Sequence, residues 1–320
     1  MNPTSSTERR VPHPRDVLLT AWQLNRPLTL VGLLMVGVLA ITLVGLVVDP
    51  RVITGDPAWL KPTKFAISIS IYSFTLLWLL TFVRGHARLV RLVSWGTAMA
   101  LGVEMVLIAG AVVFGTTSHF NVATPLNAAV WGAMGLAIAL TWILNLVAVV
   151  LLLFQRLPDP AFAWSLRLGL IVSSVGMAVA FFMTAPTAEQ LAAKELTIAG
   201  AHSVGVDDGG PGLPVVGWST VGGDLRAPHF VGLHALQALP LVGFLIARLA
   251  PGWLFPGHRR ALVCTAGLAY LGLVLLLTWQ ALRGQPVASP DAVTLGALAA
   301  LVAAAGSATG AVLLHARRAA

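Results

Sequence analysis

The sequence predicts an all-α, polytopic membrane protein of about eight transmembrane helices, with both termini in the cytoplasm. Three observations carry this. Of 320 residues, 57% are hydrophobic and only 10% are charged, whereas a soluble domain is about one quarter charged. The apolar residues fall in runs of roughly 20, the length a helix needs to cross the hydrocarbon core. The basic residues sit in short clusters between those runs, more densely on one side than on the other.

The whole of 1–320 reads as a single integral-membrane domain. Residues 1–27 are polar and basic, with Arg9, Arg10, Arg15 and Arg26, and are expected to be a cytoplasmic segment, disordered and then interfacial. Leu28–Val48 is the first span. It is too long for a signal-peptide core and lacks a small-residue cleavage site, so it is expected to be retained. Further spans are expected at Lys64–Val83, Leu89–Phe114, Pro125–Phe154, Phe162–Ala185, Pro228–Ala250, Ala261–Leu282 and Ala292–His315.

Arg84, Arg88, Arg91, Arg156, Arg259, Arg260, Arg317 and Arg318 all fall on the side of the termini, which the positive-inside rule makes cytoplasmic. The opposite loops hold Arg51, Lys61, Lys64, Lys194, Arg226 and Arg283, fewer per loop. The expected location is the plasma membrane. A net charge of +8 invites a nucleic-acid reading, but the cations form no single patch. The expected partners are the lipid bilayer and a hydrophobic small molecule, with no nucleic acid. The one cysteine, Cys264, lies in an apolar run and excludes a disulfide framework.

One loop is long, 186–227, on the outer side. Thr187-Ala188-Glu189-Gln190 has the capping-box pattern of a short helix reaching Leu196. The loop then turns glycine-rich around Trp218. A lid and a flexible connector are both open readings. In the last span, Gly306 and Gly310 have the spacing of a packing helix.

Polar side chains inside spans are costly and point to function by default. In the sixth span His229, Gln237 and His234 fall at about 0°, 80° and 140° around the axis, just after Asp224 and Arg226. In the second, Lys61, Lys64, Ser68, Tyr72 and Thr75 share one stripe within about 80°. Each lysine taken alone is well explained as snorkelling to headgroups. Glu104, in the third span, is the only acid well inside a membrane run, about 15 Å deep. Burial without a cation favours the neutral acid, which can donate a proton; pairing with lysine or histidine favours the carboxylate.

The outer turn Thr116–Asn121 adds His119 and Asn121. The fourth span carries Asn127, Trp131, Met134, Ile138, Thr141 and Asn145 on one stripe, with Asn145 expected to bond between helices. In the fifth, Gly169, Ser173, Gly176 and Ala180 favour close packing. His13, His86, His202, His258 and His315 are expected to be ordinary surface histidines. The second, third, fourth and sixth spans are expected to converge, placing Tyr72, Glu104, Asn127 and His234 around one cavity in the outer half of the membrane.

Three functions compete for such a cavity, besides a purely structural role for its polar groups. In size, helix number and the lone buried acid Glu104, the chain resembles the bacterial integral-membrane terpene cyclases of the drimentine-pathway type. The resemblance implies a biosynthetic enzyme that cyclises an isoprenoid after protonating an alkene or epoxide. The resemblance assigns no residue role of its own. The residues themselves suggest Glu104 as proton donor, with His234 or Tyr72 tuning or reprotonating it. Tyr72, Trp78, Phe120 and Trp131 are candidate walls for a carbocation. Lys61, Lys64, Ser68, His119, Asn121, Asn127, Trp131, Asp224, Arg226, His229 and Gln237 are candidate substrate contacts. Asp207-Asp208 is a loop pair and not the helical aspartate motif of diphosphate chemistry, so no metal is expected on this reading.

The second function is a zinc, iron or haem protein using His119, His229 and His234. His229 and His234 are five residues apart, and sharing one metal requires Pro228 to hold His229 outside helical backbone. The third is a proton-coupled transporter or sensor with Glu104 as its proton site, although no repeat or broken helix pair supports it.

Overall fold

The computed structural model describes residues 13–320; Arg9 and Arg10 lie outside the described residues. Eight helices are long and apolar enough to cross a membrane. They are α2 (Arg26–Val48), α3 (Leu60–Leu80), α4 (Ala87–Val113), α5 (Pro125–Leu153), α6 (Pro160–Met183), α8 (Arg226–Leu249), α9 (Pro256–Leu282) and α10 (Ala292–Arg318). Two short helices, α1 (Pro14–Leu24) and α7 (Ala188–Ala192), complete the set. The fold class read from the sequence therefore stands, and so does the multi-pass membrane character.

The starts of these helices follow from local chemistry. Proline stands in the first turn of α2, α5, α6 and α9, where its missing N–H costs nothing. Asn25, Thr124, Asp159 and Asp291 cap α2, α5, α6 and α10 by accepting first-turn N–H groups. Several helices begin earlier than hydropathy suggests. α3 starts at Leu60 and α8 at Arg226, which puts Lys61, Lys64 and Arg226 on helical backbone. His229 is also helical, its N–H bonded to the Leu225 carbonyl. The condition under which His229 and His234 share one metal is therefore not met.

Packing is tightest between α6 and α8. A Cβ added to Gly176 would lie 2.5 Å from the Gly232 Cα, and one added to Gly169 would lie 3.1 Å from the Ala235 carbonyl. The small residues foreseen in the fifth span thus let two backbones touch. Asn145 on α5 donates to Ser174 Oγ on α6 at 2.9 Å, the interhelical bond expected of it. By contrast, α10 packs chiefly against α9, and its most apolar stretch has no buried residue.

The loop between α6 and α8 is docked, not free. The Thr187–Gln190 capping box forms, but α7 ends at Ala192 and does not reach Leu196. β3 (Ser203–Val204) pairs antiparallel with β4 (Gly223–Asp224). Val122 donates to Thr197, Ala199 to Phe120 and Ala201 to Met183, tying the loop to the α4–α5 turn and to the end of α6. A Cβ on Gly200 (φ +117) would stand 2.7 Å from the Phe120 ring. Glycine there lets the loop lie flat on that ring. A second small hairpin, β1 (Val52–Ile53) with β2 (Asp56–Pro57), sits between α2 and α3. Both hairpins stand at one end of the bundle, called the outer end here after the charge assignment.

Candidate functional site

A cavity of about 350 Å³ opens among α3, α4, α5, α6 and α8, beneath the docked loop. That volume is in the range of small-molecule sites. Ser68 and Tyr72 line it from α3, Glu104 from α4, Trp131, Ile138 and Thr141 from α5, and His229, His234 and Gln237 from α8. The stripe expected on the fourth span therefore faces one volume through its middle. Its ends do not. Asn127 caps at Thr124 through its backbone N–H and is not a wall residue. Asn145 lies below, accepting from the Tyr72 hydroxyl at 3.2 Å.

Other sequence candidates find different places. Asn121 holds the α4–α5 turn, donating to Thr116 Oγ1 at 2.9 Å and accepting from the Ala123 N–H. Asp224 pairs with Arg226 at 2.6 Å; Arg226 reaches the wall and Asp224 does not. Lys64 donates to the Val216 carbonyl at 3.1 Å, and neither it nor Lys61 lines the cavity. Trp78, a candidate wall, instead packs edge-on to Phe82 and Phe162.

Two contributions were missed. The fifth span, read only as a packing helix, supplies Met177, Ala180, Phe181 and Met183 to the wall. These are apolar, so no polar stripe marked them. His202, read as a surface histidine, also lines the cavity. Its ring Nδ1 donates to Asp208 Oδ2 at 2.9 Å. Burial alone raises the Asp208 carboxyl, but the His202 ring and the backbone N–H groups of His202 and Ser203 bind it and hold it below the usual carboxylate range.

Glu104 is fully buried, and neither carboxyl oxygen has a hydrogen-bond partner. The nearest charged-type neighbour is His119, with Nε2 at 3.7 Å from Oε1. That distance is too long for a hydrogen bond. His119 stands in an aromatic box, with ring centroids of Phe65 at 5.7 Å, Trp131 at 5.5 Å and Phe120 at 6.1 Å. Its Nδ1 meets Ser118 Oγ at 3.1 Å. Burial, then the Lys61 charge and His202, hold the His119 imidazole well below its ordinary value, so it is neutral at pH 7.

Neither Tyr72 nor His234 hydrogen-bonds the acid. Tyr72 is bonded to Asn145. His234 donates from Nδ1 to the Phe230 carbonyl of its own helix at 2.8 Å and stacks on the Phe230 ring. His229 donates from Nδ1 to the Gly176 carbonyl at 2.8 Å, a bond that the Gly176–Gly232 approach makes reachable. Gln237 donates to Thr75 Oγ1 at 3.0 Å. Among the described residues, no three His, Cys, Asp or Glu side chains stand together as a metal-binding group.

Compared with protein families, with curated proteins and with solved structures, the chain matches none.

Proposed function

We propose that this protein is a membrane-embedded enzyme that starts a cyclisation by protonating a lipid-soluble, isoprenoid-type substrate. One observation carries the reading. A lone carboxyl, fully buried and without a hydrogen-bond partner, sits in the wall of a mostly apolar cavity. A carboxylate left there is very costly, so the neutral acid is the favoured form, with its proton free to point at a ligand.

The chemistry balances without a co-reactant. Glu104 gives its proton to one carbon of a substrate alkene, and the other carbon becomes cationic. A second double bond of the same molecule attacks that cation, forming a ring bond. Loss of a neighbouring C–H proton then closes the sequence, and the product is an isomer of the substrate. The rings of Phe65, Tyr72, Phe120, Trp131 and Phe230 border the volume, and their π faces suit the cationic stages. The docked loop contributes His202 to the outer end of the volume, and exclusion of bulk water there would keep the cation from being trapped as an alcohol. His119 is the neutral base nearest the acid and is suited to take up the returning proton.

The test uses purified protein in liposomes with acyclic C15 and C20 prenyl alkenes in deuterium oxide. A cyclic isomer carrying one deuterium on carbon is the expected product by mass spectrometry. Glu104→Gln keeps the size of the side chain but has no transferable proton, and its product is expected to vanish. Full activity of Glu104→Gln, or product without deuterium, overturns the proton-donor role.

A further inference from the structure

The cavity accounts for Glu104 and the histidines but leaves one cation unused. Lys61, in the first turn of α3, is half-buried and makes no hydrogen bond or ion pair among the described residues. Two acids at the outer end, Asp224 and Asp208, already hold other partners. Arg226 holds Asp224 through Nε and Nη2 and donates to the Gly217 carbonyl. Asp208 is taken by the His202 ring and by two backbone N–H groups. Asp56, on the hairpin before α3, is exposed and forms no ion pair with Lys61 among the described residues. Among the described residues, no carboxylate oxygen comes within 4 Å of the Lys61 ammonium.

This free charge is close to the cavity. Lys61 stands one turn above the volume, since Lys61, Phe65, Ser68 and Tyr72 share one face of α3 at offsets 0, 4, 7 and 11 and the last three line the cavity. Arg226, also on the wall, has Nη1 free of any hydrogen bond, since its three bonded partners use Nε and Nη2. The outer end of the cavity therefore presents unsatisfied cationic donors above an apolar volume. An anionic acceptor placed between these two donors would take charge-assisted hydrogen bonds from both.

We propose that the outer end of this cavity, with Lys61 and Arg226 Nη1 as donors, binds the anionic head of an amphiphile whose apolar tail occupies the cavity beside Glu104. The head is a carboxylate or a phosphate, which present the same oxygen acceptors. This proposal rests on the reading of the cavity as the site of a lipid-soluble substrate. It narrows that substrate from a hydrocarbon to an acid or phosphate ester, held so that its tail meets the acid.

Binding of radiolabelled dodecyl phosphate to purified protein in neutral maltoside micelles tests it, with dodecanoate and dodecanol as competitors. Dodecyl phosphate is expected to bind roughly ten- to a hundredfold more tightly than dodecanol, the ratio for one or two hydrogen bonds to a charged group. Lys61→Gln should remove most of that ratio while leaving dodecanol competition unchanged, and Lys61→Arg should keep it. Dodecanoate competing as well as the phosphate assigns the site to either anion; weak competition assigns it to phosphate. Equal affinity for dodecanol and dodecyl phosphate, or no effect of Lys61→Gln, overturns the headgroup site and leaves the cavity reading standing. Failure of all three to bind overturns the cavity reading with it. Glu104→Gln should bind dodecyl phosphate like the natural protein, which separates the headgroup site from proton donation.

Discussion

Nε2 of His119 faces Oε1 of Glu104 across 3.7 Å, and among the described residues no other ion-pairing side chain stands as near the acid. The two groups come from different elements: Glu104 from the middle of α4 and His119 from the turn that follows it. Both are largely withdrawn from solvent, with side-chain exposures of 0% and 16%. A neutral imidazole beside an unbonded carboxyl is an arrangement able to pass a proton in either direction.

His119→Phe should preserve the aromatic box while removing the proton acceptor. Turnover of any protonation substrate is expected to fall by about 10²–10⁴-fold, the usual weight of a positioned acid–base group, with substrate binding little changed. A variant with natural kcat would assign the proton return to another group. His234→Phe and Tyr72→Phe, by contrast, should slow turnover far less, because neither side chain hydrogen-bonds Glu104 and each is bonded elsewhere.

Glu104 should be a stability liability. An acid with two unbonded, buried oxygens costs about 1–3 kcal/mol relative to a shape-matched apolar residue. Glu104→Met is therefore expected to raise the midpoint of thermal unfolding in detergent while abolishing proton donation. A carboxyl that merely joins helices behaves in the opposite way, and a strongly destabilised Glu104→Met protein would place Glu104 in that class.

Gly176→Ala tests the α6–α8 contact. The added methyl meets Gly232 backbone at 2.5 Å, which only a shift of one helix relieves, at about 1–3 kcal/mol. It should also weaken the His229–Gly176 hydrogen bond. Gly110→Ala, where nothing lies within 4 Å of the new carbon, serves as the control and should be neutral. Equal melting of both variants would show that α6 and α8 are not held by this approach.

The fold was legible because a bilayer imposes a long apolar period that composition alone reveals, and Pro, Asn, Thr and Asp mark the helix starts. Much of the site was legible too. Ser68, Tyr72, Glu104, Trp131, His119, His229, His234 and Gln237 border one cavity because polar groups in a membrane helix turn away from lipid. What was not legible depends on tertiary approach. His202 lies far along a glycine-rich loop, and only the pairing of β3 with β4 and the Gly200–Phe120 contact carry it to the wall. The share of α6 was hidden because Met177 and Phe181 look the same whether they face lipid or a cavity. The choice of His119 over His234 and Tyr72 as neighbour of Glu104 rests on how the α4–α5 turn folds back, which no spacing rule encodes.

The distribution of basic residues predicts, by the positive-inside rule, that the docked loop faces outward. In a Cys264→Ala background, a membrane-impermeant maleimide should label Asp207→Cys in intact cells. Arg156→Cys, at the other end of the bundle, should react only after permeabilisation. Both positions are exposed. The reverse pattern would invert the orientation while leaving the fold unchanged.

Acid should loosen the outer end in two separate windows. In the unfolded chain His119 takes up a proton near its ordinary value of about 6.5, but burial and the Lys61 and His202 charges lower its value in the fold. The unfolded state thus binds more protons below about pH 6.5, and stability contributed by neutral His119 is complete above that pH and declines as pH falls. Asp208 has a folded value below its ordinary one, so its contribution is present above about pH 3.9 and is lost only at lower pH. Thermal unfolding between pH 7.5 and 4.5 should therefore show a falling midpoint, to which His202, also lowered by burial, adds in the same direction. His119→Gln should flatten that fall. Asp208→Asn should lower the midpoint at every pH in that range, because it removes the bonds that the carboxylate accepts from His202 and Ser203. A slope unchanged by His119→Gln would mean that His119 titrates alike in the folded and unfolded chain, and would remove it as a source of the fall.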